Sequence, residues 1–367
     1  MKKKIMLAAV GLIAAIALVR ALSDHLPLGL SGRQLLARQV DAYDLSHDGK
    51  RIILLSHGKL SSIGINGKEA HELTSGAIFS SDYGLPELQL SDDGAKVAVG
   101  VRFPYGHSSL KILDVNTGNV QEISKAVGWG NLVWLGDSKQ LAWVHHDGRF
   151  SEQHPPKKPS LYIWQNASRP TEIYANKSSP RPSIDGLRWI QDKGYIGFID
   201  NQFSVEALAK EQPLDRIRII RPDGTEVRAI KPPPGRFHPP HGSFQSWDIS
   251  PAASQVAYSY GWGTWVTGME TGAQPCKIFD KSSLEMHWSP DGNRLAFVIP
   301  SPESVKKRFS SRGQSVLWPP HELHVINKDG SGHRLVCTEP QGIKSIEWLN
   351  NNEVLYLSGK DLYKRGL

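Results

Sequence analysis

Basic, histidine and aromatic residues alternate in four stretches of this chain of 367 residues, and together they could hold an anion or a sugar. The first stretch carries Phe103, Tyr105 and His107. A second holds His145, His146, Arg149, Phe150, His154, Lys157 and Lys158, and a third Arg236, Phe237, His238 and His241. The fourth contains Lys306, Lys307, Arg308, Arg312, Trp318 and His321. Guanidinium and ammonium groups bind carboxylates and phosphates through charge-assisted hydrogen bonds, and aromatic faces attract cations. Such a set suits a carboxylated or phosphorylated ligand, a glycan, or an acidic loop of a protein. The candidate ligand-binding residues drawn from it are His145, His146, Arg149, Phe150, Arg236, Phe237, His238, His241, Lys307, Arg308, Trp318 and His321. Trp262, in Gly261-Trp262-Gly263-Thr264-Trp265, joins them as part of a floor between taller loops.

Catalytic chemistry is harder to find. His238-Pro239-Pro240-His241, and His321 with His324, have spacings that could suggest a metal. Neither pair falls on an expected helix, and no Cys or carboxylate cluster accompanies them. Loop histidines bonded to backbone are the expectation, with no metal and no cofactor. Asp48, Asp93 and Asp291 sit in Asp-Gly turns and lack the closely spaced carboxylates that calcium needs. No Gly-x-Ser-x-Gly elbow, phosphate-cradling glycine loop or dinucleotide fingerprint occurs.

The elements that must position these residues are announced by a repeated phrase. An apolar strand ends in Ser, an Asp/Gly turn follows, and a second apolar strand begins. The phrase reads Asp44–Leu55, Leu90–Val99 and Trp288–Phe297, with weaker copies after Leu135, Ile190, Ile249 and Leu349. Indexed on the Ser position, the repeats stand at Ser46, Ser91, Gly136, Gln191, Ser250, Ser289 and Asn350. That spacing is a base period of about 40–45 residues with insertions, the period of a four-stranded propeller blade. A second turn follows in six repeats, at Asn66-Gly67, Asn116-Thr117-Gly118, Asn166-Ala167-Ser168, Asp223-Gly224, Glu270-Thr271-Gly272 and Asp329-Gly330. Asn-Gly and Asp-Gly supply the positive φ that tight hairpins require. The seventh repeat shows only Ile346–Leu349, Val354–Ser358 and Asp361–Arg365 before the chain ends. Its outer strand is expected from Gln34–Val40, which would close the ring and remove exposed sheet edges.

The expected fold is therefore all-β, a seven-bladed β-propeller of four-stranded antiparallel blades, with six blades as the alternative. Strands a to d of each blade sort the loops: a–b and c–d turns lie on one face, b–c and d–a loops on the other. The insertions Pro104–Ser108, His145–Pro159, Asn201–Leu214 and Pro300–His321 are b–c loops, and Pro232–Phe244 is a d–a loop. All of them extend from one face, where a rigid scaffold usually carries binding. Trp134, Trp189, Trp247, Trp288 and Trp348 recur on the first strands and are expected to pack between blades.

Trp288-Ser289-Pro290-Asp291-Gly292-Asn293-Arg294-Leu295-Ala296-Phe297 resembles the signature of TolB-type propeller repeats. Ser91–Val99 and Ser46–Leu54 match it more loosely, and the resemblance runs from about Gln34 to Leu367. It implies the repeat rather than an activity, because such repeats serve scaffolds, peptidase gating domains and lyases. About a dozen residues separate leader and first strand, so the additional N-terminal domain of TolB is not expected. Oligogalacturonate lyases are seven-bladed relatives that hold a divalent metal with His and Gln. The resemblance implies a metal-dependent polysaccharide lyase as the alternative function, with His238, His241, His321 and Gln314 as its candidates.

Lys2, Lys3 and Lys4 precede the apolar run Ile5–Val19, which suits a secretory signal and is short for a membrane span. Residues 1–21 are read as a signal peptide or signal-anchor helix, 22–33 as a linker and 34–367 as the propeller. The folded part is then expected in the periplasm or otherwise outside the cytoplasmic membrane, with anchoring through residues 5–19 as an option. The leader's Lys2, Lys3, Lys4 and Arg20 supply four of the seven excess positive charges, so no nucleic-acid partner is implied. Cys276 and Cys337 fall on outer strands of neighbouring blades, which splay apart, and are expected to stay unpaired. The leading reading is a non-catalytic exported propeller that binds an envelope protein, or an acidic or glycan ligand, through its loop-rich face.

Overall fold

The structure is a computed structural model that describes residues 32–74, 85–102, 108–125, 132–136, 138–145, 159–165, 168–176, 183–201, 216–233, 244–302 and 320–367. Its strands form seven separate four-stranded antiparallel sheets, and six of them take their strands in chain order. Blade 1 comprises Ala42–Leu45, Arg51–Ser56, Lys59–Gly64 and His71–Glu72, and blade 2 Leu85–Leu90, Lys96–Arg102, Ser108–Asp114 and Val120–Ser124. Blade 3 comprises Leu132–Trp134, Gln140–His145, Ser160–Gln165 and Thr171–Ala175, and blade 4 Ser183–Ile190, Tyr195–Asn201, Arg216–Ile220 and Glu226–Ile230. Blade 5 uses Phe244–Ile249, Gln255–Tyr260, Gly263–Gly268 and Cys276–Phe279; blade 6 uses Glu285–Trp288, Arg294–Pro300, His321–Asn327 and Arg334–Glu339.

Blade 7 is the composite one. Ile343–Asn350, Glu353–Ser358 and Asp361–Gly366 supply its inner three strands, and Arg33–Ala37 pairs antiparallel with the last of them. The expected closure by the N-terminal stretch is thus observed, starting one residue earlier than Gln34. Side chains reinforce it. Arg33 stacks 3.7 Å over the Tyr363 ring and reaches the buried Glu339 carboxylate of blade 6 at 3.3 Å. Glu339 also accepts hydrogen bonds from Tyr356 (2.9 Å) and Ser358 (3.0 Å).

The core is distributed among the blade interfaces. Seven apolar clusters form, each drawing residues from two neighbouring blades. Because each sheet is covered on both faces, its second strand reads as a continuous apolar run, such as Ile52-Ile53-Leu54-Leu55 or Leu295–Ile299, all buried. The first-strand tryptophans do pack between blades. Indole N–H groups of Trp134, Trp247, Trp288 and Trp348 donate to carbonyls of Gln89, Gly186, Asp248 and His287, each on the first strand of the preceding blade. Gly197 on blade 4 makes room for one of them, since a Cβ there would lie 2.2 Å from the Trp247 ring.

The Ser-x-Asp-Gly turns are self-contained. Ser46, Ser91 and Ser289 donate through Oγ to Asp48, Asp93 and Asp291, and accept the backbone N–H of Arg51, Lys96 and Arg294. The serine hydroxyl is the chief reason that the Asp48 and Asp291 carboxyls lie below the usual range. Blade 3 departs from the sequence index by one residue: Leu135, not Gly136, occupies the Ser position, its N–H bonding Gln140 as that of Ser46 bonds Arg51. Ser138 then stands where glycine does elsewhere, at φ 56°. Cys276 and Cys337 lie on the outer strands of blades 5 and 6 and are both free.

Candidate ligand-binding site

Most of the predicted binding residues, namely His146, Arg149, Phe150, Arg236, Phe237, His238, His241, Lys307, Arg308 and Trp318, lie outside the described residues, as does Gln314. The three that are described occupy different settings. His145 ends the second strand of blade 3 and is half-buried, its ring 5.0 Å from Tyr162. Trp262 sits in the two-residue b–c turn of blade 5 and is 62% exposed. His321 opens the third strand of blade 6 and is buried, with Nδ1 within 3.0 Å of both the carbonyl and the N–H of Ile343. Burial holds its pKa below the ordinary histidine value. His321 thus ties blade 6 to blade 7 through the backbone.

Short b–c turns also occur in blades 1 and 7, at His57-Gly58 and Gly359-Lys360. Their polar groups are engaged: Lys360 donates to Asp41 at 2.9 Å, and the His57 N–H donates to the same carboxylate at 2.9 Å. Leu284, just ahead of the first strand of blade 6, is exposed on the same face as Trp262. Blades 5, 7 and 1 therefore form a low sector of that face. The connections through 103–107, 146–158, 202–215 and 303–319 leave from blades 2, 3, 4 and 6.

The pairing register identifies a second group of residues around the axis. Asp44, Gln89, Val133, Arg188, Asp248, His287 and Glu347 face Ile53, Ala98, Ala142, Gly197, Ala257, Ala296 and Leu355 respectively, one equivalent position per blade. Side chains at this position lean toward the following blade. Asp44 accepts the N–H of Leu90 at 2.6 Å, and Asp248 that of Trp288 at 2.7 Å. Glu285, two residues before His287, likewise accepts the N–H of Ile346 at 3.0 Å.

Charge is unevenly divided around this ring. Arg188 lies 3.5 Å from Asp248, and His287 3.2 Å from Glu285. Asp44 and Glu347, on blades 1 and 7, have no ion-pair partner among the described residues. Burial is the main cause that pushes the Asp44 carboxyl up to about 7, against the opposing hydrogen bonds from Leu90 and Leu45. Burial also pushes Glu347 well above the carboxylate range, helped by the charges of Asp44 and Glu285. No group of three or more His, Cys, Asp or Glu among the described residues is placed to hold a metal ion.

The sequence reading missed this ring. Its signal was available, since Asp44, Asp248, His287 and Glu347 are polar residues interrupting apolar first strands. What hid it is that a first strand's two faces look toward different blades, and that register appears only once the sheets are paired.

No family model and no curated protein sequence matches the chain. Solved structures do. The β-propeller domain of Myceliophteria thermophila Cps50 (Swd1) aligns at 9% identity with a TM-score of 0.57, over 91% of this chain and 99% of that one. An oligogalacturonate lyase in complex with manganese aligns at 15% identity and TM-score 0.59, over 92% of this chain and 90% of that one. A chain of the mitotic checkpoint complex gives 12% and 0.58, with coverage of 92% and 90%. At such identities the likeness speaks for architecture alone, and it agrees with the strand pairing: this chain is a seven-bladed β-propeller.

Proposed function

We propose that the protein is a non-catalytic propeller of TolB-like repeat type, exported from the cytoplasm, that binds a protein or cell-envelope ligand through its loop-rich face. The observation that carries this reading is the asymmetry of the two ends. On the Ser-x-Asp-Gly end, serine hydroxyls and aspartate carboxylates are consumed inside their own turns. On the other end, four blades have extended b–c connections, and the low sector beside them exposes Trp262 and Leu284. An exposed tryptophan at the foot of longer loops is the kind of anchor that binding surfaces use. One structurally similar chain belongs to a multiprotein complex, which agrees with a scaffold for protein partners.

The basic and aromatic residues of those loops suit an acidic or glycan surface on the ligand, and the leader argues for a ligand outside the cytoplasmic membrane. Replacing 146–158 and 303–319 by two-residue Asn-Gly turns tests the reading. The shortened protein should keep its melting temperature and lose retention of its envelope ligand. Retention unchanged by both replacements would refute it. N-terminal sequencing of the protein recovered from the envelope distinguishes a cleaved leader, starting near Leu22, from a retained anchor.

A further inference from the structure

The cleft between blades 7 and 1 brings together two groups that the ligand-binding reading does not use. Glu347 leans from blade 7 toward blade 1. Tyr43, on blade 1, leans the opposite way and packs with Leu355 and Leu357 of blade 7. Its side chain is only 7% exposed, yet the hydroxyl has no hydrogen-bond partner. Ser345 of blade 7 lies beside it without hydrogen-bond geometry. The hydroxyl stands in the field of Glu347, Glu285 and Asp44, in that order of strength, so it points into the acidic part of the ring. Leaving a buried hydroxyl unpaired is costly, and so is leaving a carboxylate there without a cation.

The surrounding charges do not resolve either problem. Arg188 on blade 4 is engaged with Asp248 on blade 5, and His287 on blade 6 with Glu285. Asp92, in the first turn of blade 2, adds a further negative charge near Asp44. The described carboxylates are not arranged as a metal-binding set. A group that satisfies Tyr43 Oη and Glu347 together must donate hydrogen bonds in more than one direction and carry positive charge. An alkylammonium does both, with three N–H donors on a compact cation. Glu347 keeps part of its surface exposed, which leaves it open to such a group.

We propose that the cleft between blades 7 and 1 is a binding site for a protonated alkylamine, held by Glu347 and Tyr43 with Asp44 and Glu285 supplying the surrounding negative field. The amine comes either from a free diamine or from a lysine side chain of a partner. This inference does not depend on the role of the loop-rich face.

Calorimetric titration of the full chain with cadaverine, and separately with Nα-acetyl-lysinamide, tests it. At least one should bind with one-to-one stoichiometry, and tighter binding of cadaverine assigns the site to a free diamine, the reverse to a lysine. Glu347→Gln should weaken binding by about tenfold or more, and Tyr43→Phe by roughly three- to tenfold, the scale of one hydrogen bond. No binding of either amine beyond the effect of sodium chloride at equal ionic strength overturns the proposal. Unchanged affinity in Glu347→Gln also overturns it. Should that variant fail to fold, Tyr43→Phe decides alone, and unchanged affinity there is equally fatal.

Discussion

Replacing Glu347 by Gln should make the protein more stable at alkaline pH, although it deletes a charged residue near the axis. Burial and the neighbouring carboxylates raise Glu347 in the folded state, and its neighbour Asp44 rises from an ordinary 3.8 to about 7. A carboxyl raised on folding binds more protons in the folded than in the unfolded chain between those two values. Stability is therefore fully present near pH 4 and falls as pH climbs toward 7. Each tenfold change in proton affinity corresponds to ~1.4 kcal/mol, so Asp44 alone sets an upper bound of ~4 kcal/mol across the window, with partial exposure and water reducing it. Gln at 347 removes the like charge and lets Asp44 ionise at lower pH. Urea unfolding at pH 5 and pH 8 should then show little change at pH 5 and a gain of ~1–3 kcal/mol at pH 8. An equal loss of stability at both pH values would refute the reasoning, because it would mean that Glu347 is ionised and favourably paired in the folded protein.

Other outcomes follow from the blade interfaces. Gly197→Ala places a Cβ against the fully buried Trp247 ring, so it should cost ~1–3 kcal/mol of unfolding free energy, read by urea titration. Ring closure is tested by Arg33→Ala, which leaves the buried Glu339 carboxylate with Tyr356 and Ser358 alone. A loss of ~2–3 kcal/mol is expected there, and faster amide exchange in Asp361–Gly366 should accompany it. Trp262→Ala, by contrast, should leave unfolding within ~0.5 kcal/mol of the parent while lowering ligand retention, since the ring is exposed.

Much of the architecture was legible in the sequence because local turn chemistry fixes it. Asn-Gly and Asp-Gly pairs at Asn66, Asp223 and Asp329 need positive φ, and Gly67, Gly224 and Gly330 have it. The half-missing seventh repeat was enough to assign the N-terminal strand to it. Blade 3 was misindexed by one residue because its turn uses Ser138 in the left-handed region, so the expected glycine is not there to be seen. Tyr43 and Glu347 escaped for a different reason. They lie about three hundred residues apart in the chain and meet only when blade 7 closes on blade 1, so no spacing rule links them. His321 looked like a loop residue because a long polar segment precedes it, yet the strand begins at that residue and buries it against Ile343.

The central claim is that ligand meets the protein on the loop-rich face and not on the face of Ser-x-Asp-Gly turns. A photo-crosslinking phenylalanine placed at Trp262, and in a second protein at the exposed Thr271 of the opposite face, puts the question directly to intact cells. The account predicts a specific adduct from position 262 and none from position 271. An adduct from position 271 with none from position 262 would contradict it.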